Sequence, residues 1–337
     1  MSAHHLSKEN LADENPTIPK VICIMGATAT GKTDLAIEIA QRFPVELISV
    51  DSALIYRDMN IGTAKPDAEV LATAPHFLID IIDSAQQYSA WDFVSDTSRL
   101  IGEISARGNI PLLVGGTMMY YHALEHGLNQ LPEANPKIRA ALDNKAREIG
   151  WPAMHQTLET IDPASAERIK PNDSQRIQRA LEVFEASGQT LTSLQQADAR
   201  HIDLDATKLI LDAGNRVKLH SRIEQRFQHM LDNGFIEEVE SLKRRPDLNL
   251  ALPSMRCVGY RQVWQYLDGE LSRDDMVFKS IVATRQLAKR QMTWLRKQPQ
   301  QNAYDCLNLH NADIKDAIFS VLCSVFSSKN TFKTGRT

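Results

Sequence analysis

The sequence predicts an α/β protein: a parallel sheet with helices on both faces, plus an inserted all-helical domain. Three observations carry this. Apolar runs alternate with helical patterns over the first third of the chain. A glycine-rich loop separates the first run from the first helix. Strand-like runs then stop from Pro136 to about Ala199, and one returns afterwards.

Val21 to Met25 is short, apolar and rich in β-branched residues, which predicts a buried strand, and Thr33 to Arg42 reads as a helix. Val45 to Val50, His76 to Ile82 and Pro111 to Val114 are the next strands, with a helix over Trp91 to Ala106. Ligands of such sheets lie at the carboxyl ends of strands. Gly26, Asp51 and the Gly115-Gly116-Thr117 turn stand at those ends. Helices are predicted over Ile138 to Ile149, Ala153 to Glu159, Ala164 to Ile169 and Ser174 to Ser187, several opened by Pro or Asp. Lys208 to Leu211 returns to the sheet. Arg216 to Arg244 reads as one long amphipathic helix, with Leu219, Ile223, Phe227, Met230 and Leu231 on its apolar side and Pro246 beyond its end. More helices run to about Lys297. The organisation expected is a disordered tail over 1–17, a catalytic core over 18–135 and 200–300, a helical insertion over 136–199, and a C-terminal tail over 301–337 without strong signal.

The composition suits a soluble cytoplasmic protein, with 337 residues, 43% hydrophobic and 24% charged. No apolar run approaches the ~20 residues of a membrane span. The polar start lacks the apolar segment of a secretion signal. Cys23, Cys257, Cys306 and Cys323 have no C-x-x-C spacing, so they read as reduced thiols and not as a zinc site. A net charge of −4 means that any nucleic-acid surface must be local. A monomer is the expected state.

Gly26, Ala27, Thr28, Ala29, Thr30, Gly31, Lys32 and Thr33 fit G-x-x-x-x-G-K-[ST] between a strand and a helix, which makes the core P-loop NTPase-like. Backbone N–H groups, the helix N-terminus and Lys32 would cradle a diphosphate. The loop fixes a phosphorylated ligand without saying that it is ATP. A small-molecule kinase using ATP is one reading.

Asp51 ends an apolar strand. It reads as a carboxylate linked to magnesium, as a general base, or as the cap of a turn, with Asp80 and Asp83 as competitors. On the long helix, Arg222 and Arg226 share a face, able either to meet a leaving diphosphate or to lie solvated beside Glu224 or Glu237. Three segments join basic residues to amides or aromatics: Gln175, Arg176, Ile177, Gln178 and Arg179; Arg256, Cys257, Val258, Gly259, Tyr260 and Arg261; and the stretch Arg285 to Lys297. Arg285, Lys289 and Arg296 fall on one helical face, with Trp294 beside it only if the helix bends or frays. Such faces neutralise phosphates and stack bases, or are simply solvated.

These residues resemble the tRNA dimethylallyltransferase family. The resemblance runs from about Val21 to Arg296 through the glycine-rich loop, Ser49 to Tyr56, Ile61 to Pro66, Tyr88 to Phe93, Gly115 to Tyr120, Gln175 to Val183, Arg256 to Arg261 and Lys289 to Arg296. Ala27 and Thr30 stand where Pro and Ser are usual, and Met119 replaces a common Leu. The C-terminal zinc finger of some members does not occur in the sequence. The resemblance implies that the loop holds the diphosphate of dimethylallyl diphosphate, with Lys32, Thr28, Thr33 and Mg²⁺ on it and Thr33 as metal ligand. It implies Asp51 as base on a flipped-out adenosine and Arg226 on the leaving group. It implies that the tRNA anticodon stem-loop meets Asp51, Ser52, Ala53, Leu54, Thr117 and Arg139 and the segment Gln175 to Arg179. On the C-terminal side it would meet Arg256 to Arg261 and Lys289, Arg290, Gln291, Met292, Thr293, Trp294, Leu295 and Arg296.

Overall fold

The computed structural model describes residues 18–129, 131–196 and 203–330. The expected tail over 1–17, the end of the expected insertion and residues 331–337 lie outside them. In chain order the elements are β1 (Lys20–Gly26), α1 (Lys32–Ala40), β2 (Val45–Val50), α2 (Ala68–Thr73), β3 (His76–Phe77), α3 (Ala90–Ala106), β4 (Ile110–Gly115) and α4 (Met118–His126). Then come α5 (Pro136–Ile149), α6 (Trp151–Ile161), α7 (Pro163–Arg168), α8 (Ser174–Ser187) and α9 (Leu191–Gln196). β5 (Asp205–Asp212), α10 (Arg216–Asp232), α11 (Phe235–Lys243), α12 (Tyr260–Leu267), α13 (Arg273–Leu295), β6 (Ala303–Asp305) and α14 (Ala312–Asn330) complete the chain.

All strands are parallel, in the order β3-β2-β4-β1-β5-β6. Central strands of such a sheet are covered on both faces, so they read as unbroken apolar runs. β1 and β4 follow this rule: every residue from Val21 to Gly26 and from Ile110 to Gly115 is buried. Register sets Ile24 beside Val114 on one side and Leu209 on the other. The carboxyl ends of β1, β2, β4 and β5 therefore meet along one edge. There Gly115 passes so close to β2 that a Cβ would lie 2.0 Å from the Val50 carbonyl oxygen, which only glycine avoids.

The chain divides into two compact units. The first holds the sheet and takes in residues 18–87, 99–117 and 203–330 of the described chain. The second takes in 88–98 and the described part of 118–202. It has its own core of Leu142, Met154, Leu158, Ile177, Leu181 and Val183, each almost fully buried. Asn135, Asp162 and Asp173 cap α5, α7 and α8 with side-chain oxygens on backbone N–H groups.

The structure corrects three expectations. The run His76 to Ile82 is a two-residue strand followed by a turn, because Leu78 and Asp80 adopt left-handed φ of 63° and 55°. Its apolar character reflects the buried Leu78 and a single bridge of Ile82 to Tyr56. The helix expected over Arg216 to Arg244 is two, broken where Gly234 takes a φ of 91°. The segment 301–330 carries ordered elements: β6 extends the sheet, and α14 buries Ile318 and Leu322 and sets Phe319 and Phe326 against Phe43.

Candidate active site

The glycine-rich loop joins β1 to α1 in a conformation set by its own residues. Gly31 has a φ of 78° and Ala29 a φ of 63°, so the chain turns back on itself before the helix starts. The Thr30 hydroxyl donates to the Ala27 carbonyl at 2.8 Å. A Cβ on Gly26 would sit 2.6 Å from that hydroxyl oxygen, so the turn requires glycine there too. Lys32 Nζ donates to the same Ala27 carbonyl at 2.7 Å, which folds its ammonium over the loop.

Asp51 leaves β2 beside this loop. Its Oδ1 accepts the Ala53 N–H at 2.8 Å and the Leu54 N–H at 3.4 Å, so the turn-cap reading is realised. Its other oxygen has no partner among the described residues. The cap and a chemical role are therefore compatible, one oxygen for each. Of the two other carboxylates, Asp80 is paired with Lys65 and Asp83 is held by Arg245 at 2.6 Å. Neither competes with Asp51.

Electrostatics joins the pieces. Burial pushes the Lys32 pKa down to about 8, with Arg226 adding to the fall and Asp51 opposing it. Arg226 is pushed down by burial, against the pull of Asp51 and Asp34. The Cys257 thiol is pushed up to about 12 by burial and then by the Asp51 charge. Lys32, Arg226 and Asp51 thus share one neighbourhood, with Asp34 also acting on Arg226. Two cations beside the loop would favour an anion there.

Arg226 Nη2 donates to the Thr63 carbonyl at 3.3 Å, and Arg222 Nη1 to the Cys306 carbonyl at 3.2 Å. Among the described residues, neither pairs with Glu224 or Glu237, so the solvated-arginine reading fails for both. The loop that holds Arg226 is itself pinned by Glu238. This carboxylate accepts the N–H groups of Asn60, Ile61 and Gly62 at 2.9, 2.7 and 3.1 Å and the Tyr260 hydroxyl at 2.6 Å. Gly62 is tight against Phe235 and Tyr260, where a Cβ would come within 2.1 Å of the Phe235 ring. Sequence reasoning missed Glu238, because the backbone N–H groups it accepts lie 176 to 178 residues away.

Gln291 has a place that the sequence did not suggest. Its carbonyl accepts the Thr28 N–H at 2.9 Å and its amide donates to the Gly116 carbonyl at 2.8 Å. It therefore faces the glycine-rich loop from α13 and not outward with Lys289, Arg290, Thr293, Trp294 and Arg296, which are exposed. Thr117 Oγ1 accepts the Ser52 N–H at 3.1 Å, tying the β4 turn to the segment after Asp51.

Other residues expected at an RNA surface divide by exposure. Arg256 and Arg261 are exposed, and Cys257 and Val258 half-buried. Met292, Leu295 and Tyr260 are buried, so their side chains offer no surface to an RNA. In the second unit, Gln175 and Arg176 are exposed, while Ile177 is fully buried in the core. Gln178 donates to Asp143 at 2.7 Å. Arg139 and Arg179 both bind the fully buried Glu182, at 2.9 and 2.7 Å, and Arg179 also reaches the Pro132 carbonyl. Burial alone would raise the Glu182 pKa, but these guanidiniums and the Asn135 N–H hold it below the usual range. Arg139 and Arg179 thus serve the fold of this unit.

A glycine-rich loop between a parallel strand and a helix, with Lys32, Arg226 and Asp51 beside it, places the core among the P-loop-like α/β folds. The chain belongs to the IPP transferase family: that family's model matches residues 54–298, and a model described as isopentenyl transferase matches 19–87. It is 55% identical over 300 residues to a tRNA dimethylallyltransferase of Cupriavidus necator, covering 87% of this chain and 93% of that protein. It is 57% identical over 291 residues to one of Burkholderia cenocepacia, covering 85% and 90%. Among solved structures, a full-length tRNA isopentenylpyrophosphate transferase of Bacillus halodurans matches with a TM-score of 0.65 at 32% identity, over 94% of this chain and 99% of that one. A eukaryotic dimethylallyltransferase acting on tRNA matches with a TM-score of 0.76 at 25% identity, over 92% and 80%.

Proposed function

We propose that this protein transfers the dimethylallyl group of dimethylallyl diphosphate to the exocyclic amine of the adenosine 3′ of the tRNA anticodon, releasing diphosphate. The observation that carries this reading is the cluster of Asp51, Lys32 and Arg226 beside the glycine-rich loop. The names of the near-full-length relatives support it, and they do not favour the kinase alternative.

The amine nitrogen attacks the allylic carbon, the carbon–oxygen bond breaks, and its electrons leave on diphosphate. Lys32 and Arg226 meet the charge that grows there, where a cation counts for more than in water. The free oxygen of Asp51 takes the proton that the nitrogen loses. The tRNA meets the protein through Ser52, Thr117, Gln175, Arg176, Arg256, Arg261 and the exposed face of α13. Arg139 and Arg179 support the helix of the second unit that presents Gln175 and Arg176.

Mg²⁺ fits the exposed Thr33 hydroxyl, a hard oxygen donor of the kind this ion takes in small number when it rides on a diphosphate, and the free Asp51 oxygen is left for the proton. When bound, it would supply charge neutralisation on the leaving group. The protein acts as a monomer in the cytoplasm on this reading, and no helix among the described residues is long and apolar enough to cross a membrane.

The test is transfer with wild type and Asp51→Asn, reading the modified nucleoside after digestion of the tRNA. Wild type should yield prenylated adenosine. The variant should lose about 10²–10⁴ in turnover and keep its tRNA affinity. Unmodified tRNA with the wild-type enzyme would overturn the reading.

A further inference from the structure

A cavity of about 660 Å³ opens in the first unit between α10 and α13, beside the carboxyl end of β5. No residue of the glycine-rich loop lines it. Its basic side chains are Arg216, His220, Arg285, Lys289 and Arg296, against a single lining acid, Asp212. Arg216, Lys289 and Arg296 have no ion-pair partner among the described residues. Arg285 is paired with Glu224 through one nitrogen, but its Nε is buried without an acceptor. A buried donor without an acceptor costs stability until something accepts from it. α10 begins at this wall, so its N-terminal dipole adds to the same sign.

A solvated basic face would spread its charges apart. Here they converge on one concavity. His220 stands among them, and burial and then the Arg285 and Arg216 charges hold its pKa below the ordinary value. The chemistry wanted is a compact anion with several acceptor oxygens.

We infer that this cavity is a phosphate-binding site, separate from the diphosphate loop, which takes a backbone phosphodiester of the RNA on Arg216, Arg285, Lys289 and Arg296. This rests on the reading of the protein as an RNA-modifying enzyme. It adds Arg216 and Arg285 to the RNA surface and gives the basic face of α13 a partner wall on α10. A phosphodiester is favoured over a free anion because the exposed Arg290 and Trp294 follow the lining residues Lys289 and Thr293 directly in the chain, within reach of flanking nucleotides.

The experiment uses the full chain and its Arg216→Ala and Arg285→Ala variants. Affinity for an anticodon stem-loop RNA is read as a function of salt, and binding of inorganic phosphate is read in parallel. Each variant should reduce the magnitude of the log–log salt slope by about 0.7–0.9 and weaken RNA binding roughly threefold, with the KM for dimethylallyl diphosphate unchanged. Wild-type slopes in both variants would overturn the site. Loss of inorganic phosphate binding with an unchanged RNA slope would mark a free-anion site and overturn the RNA assignment. If the wild-type protein bound no RNA at all, the functional reading would fall, and this site with it.

Discussion

The backbone N–H of Thr28 donates to the side-chain carbonyl of Gln291 at 2.9 Å. A backbone donor of the glycine-rich loop is therefore held by the same helix that exposes Lys289, Arg290 and Arg296. The other end of Gln291 fastens the Gly116 carbonyl, where a Cβ on Gly116 would come within 2.5 Å of the amide nitrogen. Binding at the loop and the placement of α13 are mechanically joined. Gln291→Glu puts a negative charge where an anion must bind and removes the donor to Gly116. The expected result is at least a tenfold higher KM for dimethylallyl diphosphate, from an electrostatic cost of roughly 1.4 kcal/mol or more, with little change in stem-loop affinity. Steady-state kinetics with each substrate varied in turn checks this.

Lys32 gives the reaction a pH limb. Burial lowers its pKa to about 8, so the free enzyme holds the positive form below that pH and loses it above. Diphosphate binds the protonated form and raises the pKa when bound. kcat/KM for dimethylallyl diphosphate should therefore fall above about pH 8, while kcat at saturation holds to higher pH. A pH–rate profile from about pH 7 to about pH 9 reads both limbs, and a flat kcat/KM contradicts the assignment.

Glu238 should matter to turnover without touching substrate. It accepts the N–H groups of Asn60, Ile61 and Gly62 and the Tyr260 hydroxyl, in the loop whose Thr63 carbonyl holds Arg226. Glu238→Ala leaves these donors unpaired and costs about 3 kcal/mol of stability. Arg226 then loses its aim, so turnover falls more than tRNA affinity. Glu238→Gln keeps one accepting oxygen and should recover much of both. Thermal unfolding and kinetics on the two variants separate support from chemistry.

The second unit carries an acid-sensitive clamp. Glu182 is fully buried and its pKa is held down by Arg139, Arg179 and the Asn135 N–H, against the opposing effect of burial. A depressed carboxylate stabilises above its unfolded pKa, and this stability is lost as pH falls through the folded value. Glu182→Ala should destabilise this unit by about 3–5 kcal/mol, because two guanidiniums lose their partner. Hydrogen exchange confined to residues 131–196 reads the effect. Arg139→Ala should act through the same clamp, so any lost tRNA affinity would track lost structure.

Local features were legible in the sequence. The strand, loop and helix from β1 to α1 are adjacent in the chain, and Asp51 follows its strand directly. The insertion helices announced themselves through Pro136, Asp162 and Asp173 at their starts. Relationships across the chain were not legible. Gln291 and Thr28 are 263 residues apart, and nothing in either neighbourhood marks the pair. β6 is three residues long and is a strand only because β5 offers it an edge. The run after His76 is apolar for the sake of Leu78 in a turn, and hydrophobicity alone does not distinguish that from a strand. Gly234 sits in an apolar pattern that continues across it, so the break between α10 and α11 depends on backbone conformation.

The central claim is that the loop holds a leaving group and does not hand on a phosphate. Dimethylallyl diphosphate labelled with ¹⁴C in the prenyl group and ³²P in the diphosphate tests it in one incubation with tRNA. ¹⁴C should enter the tRNA and all ³²P should stay in free diphosphate. Phosphorus label in the tRNA, or no transfer of carbon label, would contradict it.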